Sequence, residues 1–117
     1  MQFFIYFTMS DDSQMTPPSP EGMMQMMQMM QMMQEGIASG LIVSTGQLDD
    51  TTTYVTLKEG EVSVSDGPFI EGKELIPGFT IIRVESRQQA IDFTAKMRAC
   101  MGDGELRMTQ IHAPGMD

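Results

Sequence analysis

Apolar and polar positions in the first forty residues predict a strand, a loop and a helix. Residues 2–8 are apolar at nearly every position, which is typical of a central strand covered on both faces. A polar loop follows over residues 10–20 and ends in TPPSPEG, where a serine can cap a helix and Pro20 suits the first helical position. We expect this helix to run to about residue 38 and to end at Gly40.

The middle of the chain has the two-residue period of a hairpin. Residues 41–44 are apolar enough for a short strand, and residues 45–50 are predicted as a loop. Residues 51–57 alternate and are rich in β-branched side chains. A tight turn at Glu59-Gly60 then leads into a returning strand over residues 61–65.

A second strand–helix–strand unit completes the pattern. Residues 78–85 form a strongly apolar strand, and Ser86 is placed to cap the helix SRQQAIDFTAKMRAC. The side chains predicted to face inward from this helix are Ala90, Ile91, Phe93, Thr94 and Met97. Gly102 ends the helix, residues 105–112 form the last strand, and residues 113–117 are a tail.

The order β-α-β, hairpin, β-α-β predicts a single α+β domain over residues 1–117. It is the split βαβ arrangement of ferredoxin-like βαββαβ folds, with an extra hairpin. Two helices on one face of the sheet leave its other face bare. Strands as apolar as residues 2–8 cannot keep such a face in water, so we expect a homodimer in which two sheets face each other.

The first predicted helix contains the repeat MMQMMQMMQMMQ at residues 23–34. A period of three falls about 60° short of a helical turn, so the glutamines sweep around roughly half the helix and leave no clean polar face. A core helix is the favoured interpretation, because methionine fills irregular gaps. A contact surface and a soft-metal site are the alternatives; no metal site is predicted, since Cu(I) sites need an exposed, flexible segment.

Charge and composition exclude several classes of function. The net charge is −9, from 16 acidic and 7 basic residues, and every basic residue lies at Lys58 or later. Such a surface repels phosphate, which argues against nucleic acid or an anionic membrane as a partner. The apolar opening has no basic residue before it, and Cys100 is the one cysteine, so we expect a cytoplasmic protein without an intrachain disulfide. No sequence motif for a cofactor is present.

The segment DGPFIEGKELIPG, residues 66–78, carries the candidate chemistry. Asp66 opens a turn, and acidic and basic side chains follow within a few residues. At a sheet end, this loop places carboxylates and an ammonium beside any cavity between the sheet and a second copy. Burial that raised the pKa of one carboxylate would make an acid/base pair. The alternative is a turn with a surface ion pair.

The run DGPFIEGKELIPGFTIIRVESRQQAIDF resembles the YCII-related family, whose pattern is DGPF-x-E-x-KE-x₃-G-[FYW]. The motif positions are Asp66, Gly67, Pro68, Phe69, Glu71, Lys73, Glu74 and Gly78. The resemblance implies a bacterial, cytoplasmic protein with a ferredoxin-like dimeric α/β barrel and a polar pocket. It also implies that some relatives are encoded beside extracytoplasmic-function sigma factors.

The chain departs from the family pattern in its last strand. The resemblance implies an arginine where Thr109 stands. Arg107 lies two positions away, hence on the same face of the strand, and can take over part of its role. A shorter branch of the family suggests a His–Asp pair, but the single histidine here is His112.

Two functions of different classes fit these observations, and a purely structural dimer is a third. The first is binding or conversion of a small aromatic or anionic molecule in a pocket at the dimer interface. Asp66 and Glu71 would be the catalytic pair for proton transfer, and Lys73 would stabilise an anion. The predicted ligand-binding residues are Lys73, Glu74, Arg107 and Phe69. The alternative is an accessory or regulatory interaction protein, such as a sigma-factor-associated module, without catalysis.

Overall fold

In the computed structural model, two helices pack on one face of a four-stranded antiparallel sheet, and a separate hairpin extends from the sheet. The structure describes residues 1–7, 20–49, 51–67 and 76–114. The elements in chain order are β1 (Gln2–Tyr6), α1 (Pro20–Ser39), β2 (Ile42–Gln47), β3 (Thr52–Lys58), β4 (Glu61–Gly67), β5 (Gly78–Arg83), α2 (Arg87–Met101) and β6 (Arg107–Ile111). No helix in these ranges is long and apolar enough to cross a membrane.

The sheet order is β2-β5-β1-β6, and all three neighbouring pairs are antiparallel. With the hairpin set aside, this is compatible with a ferredoxin-like βαββαβ fold, as predicted. Strand β1 is central, which accounts for its apolar sequence. The hairpin β3–β4 forms its own two-stranded sheet, so the main sheet has four strands.

The core lies between the helices and one face of the sheet. It is built from the fully buried side chains Phe3, Ile5, Ile42, Ile82, Val84, Ala90 and Met97. Methionines 29, 32 and 33 of α1 are half-buried and pack against it. The interpretation of the methionine repeat as a core helix therefore holds for these three side chains.

Local signals set the ends of both helices where the sequence predicts them. Helix α1 begins at Pro20, and Gly40 follows its end with a φ of 83°. Ser86 caps α2, because its Oγ accepts a hydrogen bond from the backbone N–H of Gln89 at 3.1 Å. The turn of the hairpin has positive φ at both Glu59 and Gly60, as a two-residue hairpin turn requires.

Strand β2 runs further than the sequence predicts. The residues expected to begin a loop, 45–47, continue the strand instead, paired with Thr80, Phe79 and Gly78 of β5. The hydroxyl of Thr45 donates to the carbonyl of Phe79 at 3.0 Å, which ties this edge together. Pairing with a neighbouring strand overrides the polar local sequence.

Arg98 fixes the connection between α2 and β6. Its Nε donates to the carbonyl of Gly102 at 2.9 Å, and its two Nη atoms donate to the carbonyls of Asp103 and Glu105 at 3.1 and 3.2 Å. These bonds pair the backbone carbonyls of the connection that follows the helix. The role of Arg98 is therefore structural, and it sets where β6 begins.

Gly36 marks the closest approach of α1 to the sheet. A Cβ at this position would lie 2.6 Å from Cδ1 and 2.8 Å from Cγ1 of Ile42, whose side chain is buried in the core. Glycine is a poor helix former, so its presence in the last turns of α1 reflects this contact and not the needs of the helix.

We therefore predict that Gly36→Ala lowers the free energy of unfolding. Overpacking costs about 1–3 kcal/mol, and the gain in helix propensity returns at most about 1 kcal/mol. In urea unfolding of the single and double variants, Ile42→Ala should cost less in the Gly36→Ala background than in the native one. A stabilisation by Gly36→Ala, as at an exposed helical glycine, would show that the contact is absent.

Candidate functional site

The face of the sheet opposite the helices carries a cluster of aromatic side chains. Phe3 and Ile5 point into the core, so the alternate positions of β1, Phe4 and Tyr6, point to the other face. Their partners across β5 are Ile81 and Phe79. We call this surface the open face, because no helix in the described ranges covers it.

The aromatic rings on the open face contact one another. The ring centroids of Phe4 and Tyr6 are 5.4 Å apart and tilted, and those of Phe4 and Phe79 are 5.9 Å apart and stacked. The ring of Phe79 also lies over Gly46, where an added Cβ would be 3.5 Å from Cε1. The open face thus carries a cluster of partly exposed aromatic rings that a ligand or another apolar surface can contact.

Arg107 lies at the edge of this aromatic cluster. Arg107 of β6 pairs with Tyr6 of β1, so it lies on the open face. Thr109, two residues further along β6, lies on the same face. The side chain of Arg107 is 44% exposed, and its Nε donates to Glu105 at 3.0 Å. An exposed ion pair of this kind contributes little free energy.

Two further donors lie at the other end of the open face. Gln2 and Arg83 are paired across β1 and β5 and occupy the same side as Phe4. The side chain of Gln2 is only 5% exposed, and its Nε2 atom has no hydrogen-bond partner in the described part of the chain. A buried unpaired donor costs free energy, so an oxygen acceptor placed against this end would be favourable.

Of the predicted site residues, Asp66 and Arg107 lie in the described ranges. Asp66 is exposed near the end of β4, and one of its carboxylate oxygens accepts from the hydroxyl of Thr53 at 2.7 Å. The other predicted residues, Phe69, Glu71, Lys73 and Glu74, lie outside the described residues. Whether Asp66 and Glu71 share one pocket therefore stays a prediction.

The hairpin leaves the sheet at the end where the aromatic cluster lies. The backbone N–H of Leu48 donates to the carbonyl of Pro77 at 2.8 Å. Pro77 lies two residues before Phe79, which pairs with Tyr6 of β1. Asp66 lies on the hairpin, and Pro77 is the second described residue after it leaves. Of the motif, Asp66 and Gly67 therefore end the hairpin, and Gly78 begins the strand that carries Phe79.

The aromatic residues of the open face were not predicted as site residues. The run QFFIYF indicates that β1 is apolar on both faces, but it does not tell which side the helices cover. Phe79 was read as part of an apolar strand. Only the register of β1 with β5 and β6 brings Phe4, Tyr6, Phe79 and Arg107 together.

These features define a mixed α+β protein, compatible with a ferredoxin-like fold, whose candidate ligand surface is the open face of its sheet. The chain belongs to the YCII-related family: the model of the YCII-related domain matches residues 1–109. It is also similar to an uncharacterized protein of Rhizobium meliloti (strain 1021), with 33% identity over 84 residues that cover 68% of each chain.

We predict that the rings of Phe4 and Phe79 stabilise each other. Replacing either by leucine keeps the side chain apolar and removes the stacked pair. A double-mutant cycle of Phe4→Leu and Phe79→Leu, followed by chemical unfolding, should give a coupling of about 0.5–1.5 kcal/mol. Additive effects of the two substitutions would mean that the rings do not interact.

Proposed function

We propose that this protein binds a small aromatic anion on the open face of its sheet, in a pocket completed by a second copy of the chain. The observation that carries the proposal is the stacked cluster of Phe4, Tyr6 and Phe79 with Arg107 at its edge. Partly exposed aromatic rings favour contact with an aromatic group, and a guanidinium binds a carboxylate through two parallel hydrogen bonds.

A second copy is needed because a ligand bound to a single sheet face would stay exposed on its other side. A ligand pocket covers most of the surface of its ligand, whereas a single sheet face covers one side of it. An apolar face of this kind is also unfavourable in water. Two open faces brought together in a homodimer, as in a dimeric α/β barrel, would cover both the rings and the ligand.

The proposal also includes chemical conversion of the bound ligand. Asp66 and Glu71 would transfer the proton, Lys73 would stabilise the developing anion, and Glu74 and Phe69 would complete the binding site. Asp66 is exposed in the single chain and holds the hydroxyl of Thr53. Its use in catalysis therefore requires that the dimer shields it from water.

Binding can be tested with benzoate and its uncharged analogue benzyl alcohol, followed by NMR chemical shifts. Benzoate should shift the amides of Phe4, Phe79 and Arg107 and saturate. Because a hydrogen bond to a charged group contributes about 1.5–3 kcal/mol, Arg107→Gln should weaken benzoate binding roughly 10- to 100-fold. The same variant should leave benzyl alcohol binding nearly unchanged.

Arg87→Gln is the matched control, since Arg87 opens α2 on the helical side of the sheet and is exposed. It removes the same charge without touching the open face. Equal loss of benzoate binding in both variants would mean that the weakening comes from the change in net charge and not from a contact with Arg107. The absence of any saturable shift on the open face would refute the binding proposal.

A second candidate function is docking of another protein, and the exposed side of α1 favours it. Five apolar side chains form what we call the methionine stripe: Met23, Met26, Met27, Met30 and Ile37, each between 55% and 69% exposed. Their spacing of three, four and seven residues puts them along one side of the helix. Flexible thioethers on a helix surface suit binding of an apolar helix face.

The charge of α1 points to a cationic partner, since its ionisable residues are Glu21 and Glu35. A fluorescent amphipathic peptide of leucine and lysine is therefore a suitable probe. We predict that Met23→Gln with Met27→Gln and Met30→Gln weakens its binding at least tenfold, measured by fluorescence anisotropy. Leu57→Gln with Val62→Gln removes apolar surface elsewhere, and equal weakening by this control would mean general stickiness.

A further inference from the structure

The methionines of α1 divide into a packed set and an exposed set. Met29, Met32 and Met33 pack against the core. The exposed set, each member between 59% and 69% exposed, consists of Met23, Met24, Met26, Met27 and Met30. Filling of gaps in the core explains the packed set, but it gives the exposed set no role in the described part of the chain.

The property that separates methionine from other apolar helix formers is its sulfur atom. Leucine has about the same helix propensity, so neither the helix nor its exposed apolar area requires methionine at these positions. A thioether sulfur keeps its lone pairs in a side chain that is otherwise apolar, and it is a soft donor of the kind that Cu(I) prefers. The exposed set therefore directs attention to the sulfur atoms themselves.

Four of the exposed methionines form a compact group, which we call the thioether cluster: Met23, Met26, Met27 and Met30. Met23 lies three residues before Met26 and four before Met27, and Met30 lies four and three residues after them. Residues at these spacings are neighbours on a helix surface, with about 5–6 Å between their Cβ atoms. Because each side chain adds three rotatable bonds, the sulfur atoms can converge on one ion.

We propose that the thioether cluster binds one Cu(I) ion per chain through three or four of its sulfur atoms. A single thioether is a weak ligand, but several held on one side of a helix present a high effective concentration to the ion. Sulfur ligands also select Cu(I) over Mg²⁺ and Ca²⁺, which require oxygen ligands. The inference is independent of ligand binding on the open face, since α1 lies on the other side of the sheet.

Exposure of the repeat is the observation that the structure adds. A soft-metal site needs sulfur atoms that an ion can reach, and the sequence pattern favoured a buried helix. In the structure all four members of the thioether cluster are more than half exposed. The flexibility that such a site also needs is provided by the side chains, while the helix keeps them close together.

The charge around the cluster suits a cation. The ionisable residues of α1 are Glu21 and Glu35, and no lysine or arginine occurs in the sequence before Lys58. The chain as a whole carries a net charge of −9. An acidic surface raises the local concentration of cations, so the electrostatic field favours the approach of Cu(I) to α1.

The first test observes the thioethers directly by NMR. Protein with ¹³C-labelled methionine methyl groups, in a Cys100→Ser background that removes the thiol, is titrated with Ag(I), an air-stable soft cation. The methyl signals of the thioether cluster should shift and saturate at one ion per chain. The signal of Met97, which is 7% exposed, should stay in place. No shift, or equal shifts at Met24 without saturation, would overturn the inference.

The second test measures Cu(I) affinity by competition with a coloured Cu(I) chelator, without oxygen and with ascorbate as the reductant. Met26→Leu with Met27→Leu keeps the apolar surface and the helix propensity, but it leaves Met23 and Met30 about 10 Å apart along the helix. This double variant should bind Cu(I) at least tenfold more weakly than its Cys100→Ser parent. Binding by the parent that is weaker than micromolar, or unchanged binding by the variant, would contradict the site.

Met24→Leu with Met29→Leu is the matched control. It removes two thioethers from the same helix but leaves the thioether cluster complete, and exchange of methionine for leucine conserves volume at the packed position. Its affinity for Cu(I) should be nearly that of the parent. Equal weakening in both double variants would mean that affinity follows the number of methionines and not their arrangement, which would refute the site.

The leucine variant also separates metal binding from docking of a protein on the methionine stripe. Because Met26→Leu with Met27→Leu keeps the stripe apolar, the variant should still bind the peptide of leucine and lysine. Loss of Cu(I) binding with peptide binding retained would assign the loss to the sulfur atoms. Retained Cu(I) binding would refute the metal site, whatever the peptide does.

Discussion

The structure depends on one constraint: two helices can cover one face of a four-stranded sheet, and its central strands β1 and β5 carry apolar side chains on both faces. Phe3, Ile5 and Ile82 lie under the helices and form the core with Met97. The alternate positions carry Phe4, Tyr6, Phe79 and Ile81, which are half-buried and are not covered by the described helices. The stability of a single copy therefore comes from one face, while the other is available for a ligand and for a second copy of the chain.

Much of the fold follows from local sequence signals. The predictions that were wrong show which features do not follow from such signals. Ser86 and Gly40 mark helix ends through caps that depend on a few neighbouring atoms, and the positive φ values at Glu59 and Gly60 close the hairpin in the same local way. Strand β2 was predicted too short, because its continuation depends on pairing with β5 and not on its own polar residues. The methionine repeat was predicted mainly as core, yet a three-residue period turns around the helix and leaves a stripe of exposed methionines.

The candidate site also has one part that the local sequence predicts and one part that it does not. Arg107 and Thr109 share a strand face, as alternation alone predicts. The aromatic cluster beside them was missed, because it exists only through the register of three strands that are distant in sequence. Asp66 is on the hairpin, exposed and bonded to Thr53, and its role as an acid or base stays a prediction.

The central claim, that the open face is a surface between copies, is tested most directly by the mass of the unmodified protein in solution. Sedimentation equilibrium across micromolar to millimolar concentrations should give about twice the 13.0 kDa of one chain. A mass of one chain throughout the range would contradict the account.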